Sequence, residues 1–295
     1  MNILEKELMA EKGKVKSSAI LLVHALIALA SGCLMRFVRY ILQPVKRGFF
    51  CGDTSIRLPY RSSSIPFSIF SLIVFPIVVL TLAIFFRKFR NSEKEEKNGI
   101  GNQKTVILVE LYVRSRKLRC YKEKYEINGR ILDTTLVRMI QFFLIFVLGF
   151  SITGWFASFV KNSTGRLRPH FLDVCKPNVD LKNCSAFQFI DEYVCSSPES
   201  SSKIIDSRLS FFSGHSSSAF YCAAFLAIYI HARVGQFEVS WTPFFALIYA
   251  IFFVCAALVG ISRVVDHKHH TSDVVVGGFV GIVMAALMVY CNNIF

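Results

Sequence analysis

Five apolar stretches, each close to the length of a bilayer crossing, constrain this chain more than any other feature. They cover residues 19–35, 65–86, 136–159, 241–261 and 274–290. Crossing about 30 Å of hydrocarbon takes roughly 20 residues with few charges, wound so that each backbone polar group is satisfied internally. A sixth run, 216–230, is shorter and opens on serines directly after the cluster Phe211-Phe-Ser-Gly-His215. With 53% hydrophobic residues and 29 phenylalanines, the chain is richer in apolar side chains than a water-soluble core requires. The expected fold is an all-α membrane protein, a bundle of six transmembrane helices. Lysines precede the first run, but no small-residue cleavage site follows it and Arg36 and Arg39 do, so it reads as an uncleaved span. A tail over 1–18 and one six-span domain over 19–292 account for the chain, and no internal repeat is visible.

Counting spans sorts the loops by side. The tail, residues 87–133 and residues 231–240 share one face and carry 18 Lys/Arg; residues 43–64, 160–212 and 262–272 share the other and carry 13. The positive-inside rule assigns the first face to the cytosol. Cysteines agree with it: Cys51, Cys175, Cys184 and Cys195 all lie on the second face, against Cys120 alone in a loop of the first. That distribution suits an oxidising compartment and up to two disulfides, with three connectivities open. The sequon at Asn183 falls on the same extracellular or luminal side, whereas the one at Asn162 abuts a span and is discounted. A net charge of +14 could indicate nucleic acid, but the basic residues concentrate beside spans, in 87–97 and 113–126, as charges facing anionic headgroups do. No nucleic-acid partner is expected. The stretch 91–103 reads as a polar loop.

Three polar clusters face that outer water layer. Lys161-Asn-Ser-Thr-Gly-Arg-Leu-Arg168-Pro169 ends the third span, Ser213-Gly214-His215 opens the fourth, and Ser262-Arg263 with His269 and Asp273 joins the last two. An even number of crossings separates each cluster from the next, so all three can meet.

The residue types suit phosphoryl transfer, in which catalysis is mainly positioning and cationic stabilisation of three equatorial oxygens. Arg168 and Arg263 can grip oxygens bidentately and Lys161 adds a compact charge. Ser213 and Gly214 stand at a helix start, where unpaired N–H groups attract anions. His269 and Asp273 are four apart, a spacing that places both on one helix face and lets the carboxylate hold one imidazole nitrogen while the other attacks phosphorus. His215 can protonate the leaving alcohol and then activate water. A bell-shaped pH profile is expected. No spaced His/Cys set or paired carboxylates suggest a metal, and no cofactor is called for.

Singly, each feature has a plainer reading. His-x3-Asp can be a local hydrogen bond, Arg168-Pro169 an interfacial charge, and Ser-Gly-His a helix cap. Their joint occurrence, in order and on one face, carries the phosphatase reading. Asp266, His267, Lys268 and His270 read as loop polars. His24, mid-span with no partner in view, is set aside. Gly277-Gly278 reads as a close-packing device, and Cys33, Cys222, Cys255 and Cys291 as small apolar fillers.

The trio K-x6-RP, SGH and SR-x5-H-x3-D resembles the signature of the type 2 phosphatidic acid phosphatase superfamily, with all its positions filled. RGFFCGDTSIRLPY (47–60), RPHFLDVCKPN (168–178) and SRLSFFSGHSS (207–217) look like the lipid phosphate phosphatases within it. The resemblance implies a six-helix bundle and metal-independent dephosphorylation of phosphatidate, lysophosphatidate, sphingosine 1-phosphate and ceramide 1-phosphate. It makes Lys161, Arg168 and Arg263 phosphate ligands assisted by Ser213 and Gly214, His215 the acid, His269 the nucleophile and Asp273 its orienter. One departure is Phe212, where the broad superfamily has proline; an aromatic there is familiar in the lipid-directed subgroup. Two rivals remain: a lipid phosphotransferase, which would release no inorganic phosphate, and a non-enzymatic lipid-binding relative. The expected partners are the lipid substrates, the bilayer and a second copy of the chain. The expected location is the plasma membrane with an extracellular site, or an internal membrane with a luminal one.

Overall fold

A computed structural model of the chain describes residues 16–17, 26–27, 29–30, 44–98, 125–127, 130–132, 134–234 and 242–291. The expected first span falls largely outside the described residues, as do Cys33, Cys120, His24 and most of the basic loop. Among the described residues the chain is mainly helical. The long helices are α1 (Phe67–Asn98), α2 (Thr134–Thr164), α5 (Gly214–Val234), α6 (Thr242–Val265) and α7 (Thr271–Cys291). Two short ones, α3 (Phe171–Cys175) and α4 (Ser201–Asp206), lie in the segment between α2 and α5. Helix α1 runs beyond its apolar part and makes residues 91–98 helical, where a polar loop was expected.

Short strands, absent from the all-α expectation, also form. β1 (Lys16–Ser17) pairs in parallel with β3 (Tyr125–Ile127), which pairs antiparallel with β4 (Arg130–Leu132). β2 (Phe49–Phe50) pairs antiparallel with β5 (Phe189–Ile190), Phe49 opposite Ile190. The chain divides into two compact units, Met1–Ala28 with Val78–Ile145, and Leu29–Ile77 with Phe146–Phe295. In the first, Val78, Leu82 and Val137 are buried. The second holds every cluster singled out in the sequence.

Four described helices, α1, α2, α6 and α7, are long and apolar enough to cross a membrane. On α6, Leu247, Ile251, Val254, Leu258, Ile261 and Val265 are exposed at helical spacing. Such a stripe would be costly in water and is at home against acyl chains. Helix α5 has the opposite character. Ala219, Tyr221, Cys222, Ala223, Phe225, Leu226 and Tyr229 are all buried, making it the central helix of its unit.

Glycines bring α7 onto α5. A Cβ at Gly277 would stand 2.6 Å from the Ser213 carbonyl oxygen, and one at Gly281 would collide with the Ser217 carbonyl. The i, i+4 pair of small residues lets the backbones close up. The Ser216 hydroxyl then donates to the Val274 carbonyl at 2.7 Å. This packing sets the N-termini of α5 and α7 side by side. Gly278 takes part less tightly, against the Phe220 ring. Cys222 is buried as the filler reading expects, whereas Cys255 and Cys291 are exposed on the apolar helix surfaces.

Above α2 and α5 the connecting segments build a small lobe. Phe49, Cys51, Ile56, Leu167, Phe171, Leu172, Cys175 and Ile190 form its core. Disulfides Cys51–Cys184 and Cys175–Cys195 staple it, a choice between connectivities that the spacing left open.

Candidate active site

Helix α6 ends in a tight turn. The N–H groups of Lys268 and His269 both donate to the Arg263 carbonyl, at 2.9 and 3.2 Å, and His267 takes a left-handed φ of 55°. Histidine tolerates that region better than branched residues do. Because α7 begins only at Thr271, His269 lies in this turn and not on the helix. The expectation of one helix face shared by His269 and Asp273 is therefore corrected. The turn, not a helical stagger, brings them together, with His269 Nδ1 3.7 Å from Asp273 Oδ2. That is ion-pair range, longer than a hydrogen bond.

Asp273, fully buried, is a hub for all three clusters. Its Oδ1 accepts from Arg166 Nη1 at 2.6 Å; its Oδ2 accepts from the Ser210 hydroxyl at 2.5 Å and the His270 N–H at 3.1 Å. Its own carbonyl accepts from the Ser213 N–H at 3.0 Å. A further link runs from the Ser210 N–H to the Arg166 carbonyl at 3.0 Å. Distant stretches of chain thus converge on one carboxylate.

Around it stand the expected cations. Lys161, in the last turn of α2, donates Nζ to the Leu209 carbonyl at 3.2 Å. Arg168 is buried and pairs through Nη2 with Asp206 at 2.8 Å. Arg263, 1% exposed, pairs through Nη2 with Asp266 at 2.9 Å. Buried donors normally find acceptors. Yet Arg168 Nε, Arg263 Nη1, His215 Nε2 and His269 Nδ1 are buried with no hydrogen-bond partner. Trp155 Nε1 and Tyr249 Oη are orphaned too, but these four atoms are the ones that fall on residues singled out from sequence.

The start of α5 differs in detail from the expectation. The Ser213 N–H is committed to Asp273, and its hydroxyl accepts from the Ser216 N–H at 3.3 Å as a helix cap. A Cβ at Gly214 would meet nothing within 4 Å, so open space lies over the first turn. Phe212, at the position of the superfamily's proline, is buried against Phe156 with ring centroids 5.7 Å apart.

Electrostatics fix the histidine charges. His215 stands ahead of the apolar run 216–230, edge-on to Phe67. Burial, then Arg263, Lys161 and Arg168, push its pKa down to about 3, against a bond to the Ile65 backbone. Burial and Lys161 hold His269 well below the usual histidine range despite Asp273. Both shifts favour the neutral imidazole. Lys268 is pushed down to about 8 by burial first and Arg168 second.

Sequence reasoning missed several residues here. Asp266 and Lys268, read as loop polars, are buried. Lys268 and Lys203 both place an ammonium on the Tyr60 ring, 3.7 and 3.9 Å from its centroid. Arg166, Ser210, Asp206 and Ser64 carried no signature. The one available signal was charge: two buried arginines on one face demand carboxylates from the same side. His170 is buried under Tyr60 and bonded through Nδ1 to the His267 carbonyl at 2.7 Å. Asn183 is exposed on the lobe, whereas Asn162 is buried and donates to the Ser158 carbonyl. Among the described residues no three His, Cys, Asp or Glu side chains gather as a metal-ligand set.

Residues 142–294 match the PAP2 superfamily. The chain is 33% identical over 276 residues to phospholipid phosphatase 2 of Bos taurus, covering 93% of this chain and 83% of that one. It is 32% identical over 254 residues to phospholipid phosphatase 1 of Rattus norvegicus, covering 85% and 77%. Over 280 residues it is 29% identical to a putative phosphatidate phosphatase of Drosophila melanogaster, covering 92% and 68%. No solved structure matches the chain.

Proposed function

This chain belongs to the PAP2 superfamily, and from that premise we propose that it is an integral-membrane hydrolase releasing phosphate from lipid phosphate monoesters. The substrates are phosphatidate, lysophosphatidate, sphingosine 1-phosphate and ceramide 1-phosphate. The observation that carries this reading is the set of orphaned buried nitrogens on Arg168, Arg263 and His215, three uncommitted polar groups able to meet an anion.

Lys161, Arg168 and Arg263 bind the phosphate, with Gly214 leaving room at the start of α5 and Ser213 holding that helix end in place. His269, kept neutral and facing Asp273 through Nδ1, attacks phosphorus through Nε2. The P–N bond forms as the P–O bond to the lipid breaks, and His215 gives its proton to the leaving alkoxide. Burial is the first cause of the low His215 pKa, and Arg263, Lys161 and Arg168 add to it; a bound dianion offsets those three cations and so shifts His215 back toward the protonated acid. In the second step neutral His215 takes a proton from water, the hydroxide attacks phosphorus, and inorganic phosphate leaves His269. Chemistry of this kind needs neither metal nor cofactor.

The topology belongs to the same proposal. Residues 19–292 form one six-span domain with the tail 1–18 and the loop 87–133 in the cytosol. The loop 160–212 and the site lie outside, at the plasma membrane, with Asn183 glycosylated. Both disulfides support this side, since they lie in the lobe that carries Arg168.

Phosphate release from a panel of lipid monoesters in EDTA tests it, with His269→Ala as control. Activity should survive chelation and vanish in the variant, and an acid-labile, base-stable phosphoryl label should be trapped on the wild-type protein and not on the variant. Strict magnesium dependence, or transfer to an alcohol without free phosphate, would overturn it.

A further inference from the structure

The two phosphate-site arginines are held in the same way. Arg263 spends Nε and Nη2 on the Ser262 hydroxyl, at 3.1 and 3.0 Å, and Nη2 on Asp266, and leaves Nη1 buried and open. Arg168 gives Nη2 to Asp206 and leaves Nε buried and open. In each, one edge of the guanidinium is fastened to a carboxylate and another N–H is withheld from every protein acceptor. A planar donor fork held by one edge keeps its remaining donors in a fixed plane.

Asp266 is fastened in turn. Ser64, just before α1, donates its N–H to Asp266 Oδ2 at 2.8 Å and its hydroxyl to Oδ1 at 2.6 Å. The segment carrying Ser64 is tied to two of the clusters. Leu58 N–H donates to the Pro169 carbonyl at 2.8 Å, Arg61 Nη1 to the Val265 carbonyl at 3.2 Å, and His267 Nδ1 meets the Pro59 carbonyl at 2.9 Å. It is a strap laid across the turn that holds His269.

We propose that Asp266, locked by Ser64 on this strap, and Asp206 are positioning residues that fix which guanidinium N–H of Arg263 and Arg168 meets the phosphate. Exposure ranks them. The Arg263–Asp266 pair is 1% and 5% exposed, whereas Asp206 is 42% exposed and shares its charge with water. Asp266 therefore dominates. The inference rests on the phosphate-binding reading above and is tested separately from it.

The variants are Ser64→Ala, Ser64→Thr, Asp266→Asn, Asp206→Asn and Arg263→Ala in the full-length detergent-solubilised protein. The readouts are kcat, KM, inhibition by orthovanadate and apparent Tm. Ser64→Ala should lower kcat/KM and weaken vanadate inhibition roughly tenfold, and Asp266→Asn roughly 100-fold, the scale of a misplaced binding group. Asp206→Asn should cost roughly threefold, since Asp206 is itself 42% exposed and its charge is screened by water. Ser64→Thr keeps the hydroxyl and should restore wild-type inhibition. If the carboxylates only neutralise charge, Asp266→Asn will instead bind vanadate more tightly. If Ser64 only braces the fold, Ser64→Ala will lower Tm and leave vanadate affinity intact. Either result overturns the proposal while Arg263→Ala remains inactive. An active Arg263→Ala protein would overturn the phosphate-binding reading itself.

Discussion

Replacing Asp273 with Asn removes one charge and no volume, and the hub geometry allows its cost to be worked out. An amide presents a single acceptor. With that oxygen toward Ser210 and the His270 N–H, the NH2 group faces Arg166, donor against donor. Arg166 is 33% exposed and can turn to water, so that pair costs about 1 kcal/mol. The two bonds kept by the amide oxygen lose their charge assistance, about 1 kcal/mol each. The sum is about 3 kcal/mol, which for a chain of this size lowers an apparent Tm by roughly 6–12 °C. Catalysis should suffer more. Under the proposed mechanism His269 would lose the negative charge that stabilises its cationic phosphorylated form and selects its tautomer, and the scale for an uncoupled base orienter is a roughly 10³- to 10⁴-fold fall in kcat. Phosphate release from phosphatidate micelles, beside thermal unfolding in the same detergent, measures both. A variant with normal kcat and a lowered Tm would show that Asp273 is a structural hub alone. A variant normal in both would refute the hub as well.

Four further outcomes follow from the charges and cross-links. Lys161→Met removes a cation that depresses His215, so the alkaline limb of the residual kcat/KM profile should move to higher pH; a fixed or lower limb would remove His215 from the acid role. Burial holds His170 at about 4, so between that value and the ordinary 6.5 the folded chain binds fewer protons than the unfolded one. Stability is then lost as pH falls, about 2 kcal/mol between pH 7 and 5, and His170→Gln should flatten Tm over that window. Opening the Cys175–Cys195 bridge by Cys→Ser exchange should cost roughly 2–5 kcal/mol. In intact cells an impermeant reductant should expose Cys51, Cys175, Cys184 and Cys195 to an impermeant maleimide, and labelling only after permeabilisation would reverse the proposed topology.

Much of the site was legible because its parts obey rules that act along the chain. Lys161, Arg168, His215, Arg263 and His269 were grouped by an expected parity of crossings, and the described residues bring their clusters together around Asp273. Helix α7 on α5 was foreshadowed by Gly277. What the chain order hid was the identity of partners in space. His269 and Asp273 suggested a helix because their spacing is four, yet a turn with a left-handed His267 intervenes. Asp266 was read as a loop polar and Asp206 drew no notice, as a carboxylate in a polar loop looks the same whether it faces water or a buried guanidinium. Ser64 lies 202 residues from Asp266, and no local pattern reports so distant a bond. The buried character of α5 was likewise invisible beyond a short apolar run, because enclosure by neighbours leaves no periodic mark.

The carboxylate at position 273 also bears on inheritance and engineering. A graft of any single signature block from another protein would import its own side chains but not the complementary ones on the other two. Chimeras should therefore fail unless Arg166, Ser210 and Asp273 travel together, and natural divergence at one of them should be matched at the others. On the proposed reading the candidate site would be inherited as one unit scattered over more than a hundred residues, not as three exchangeable modules.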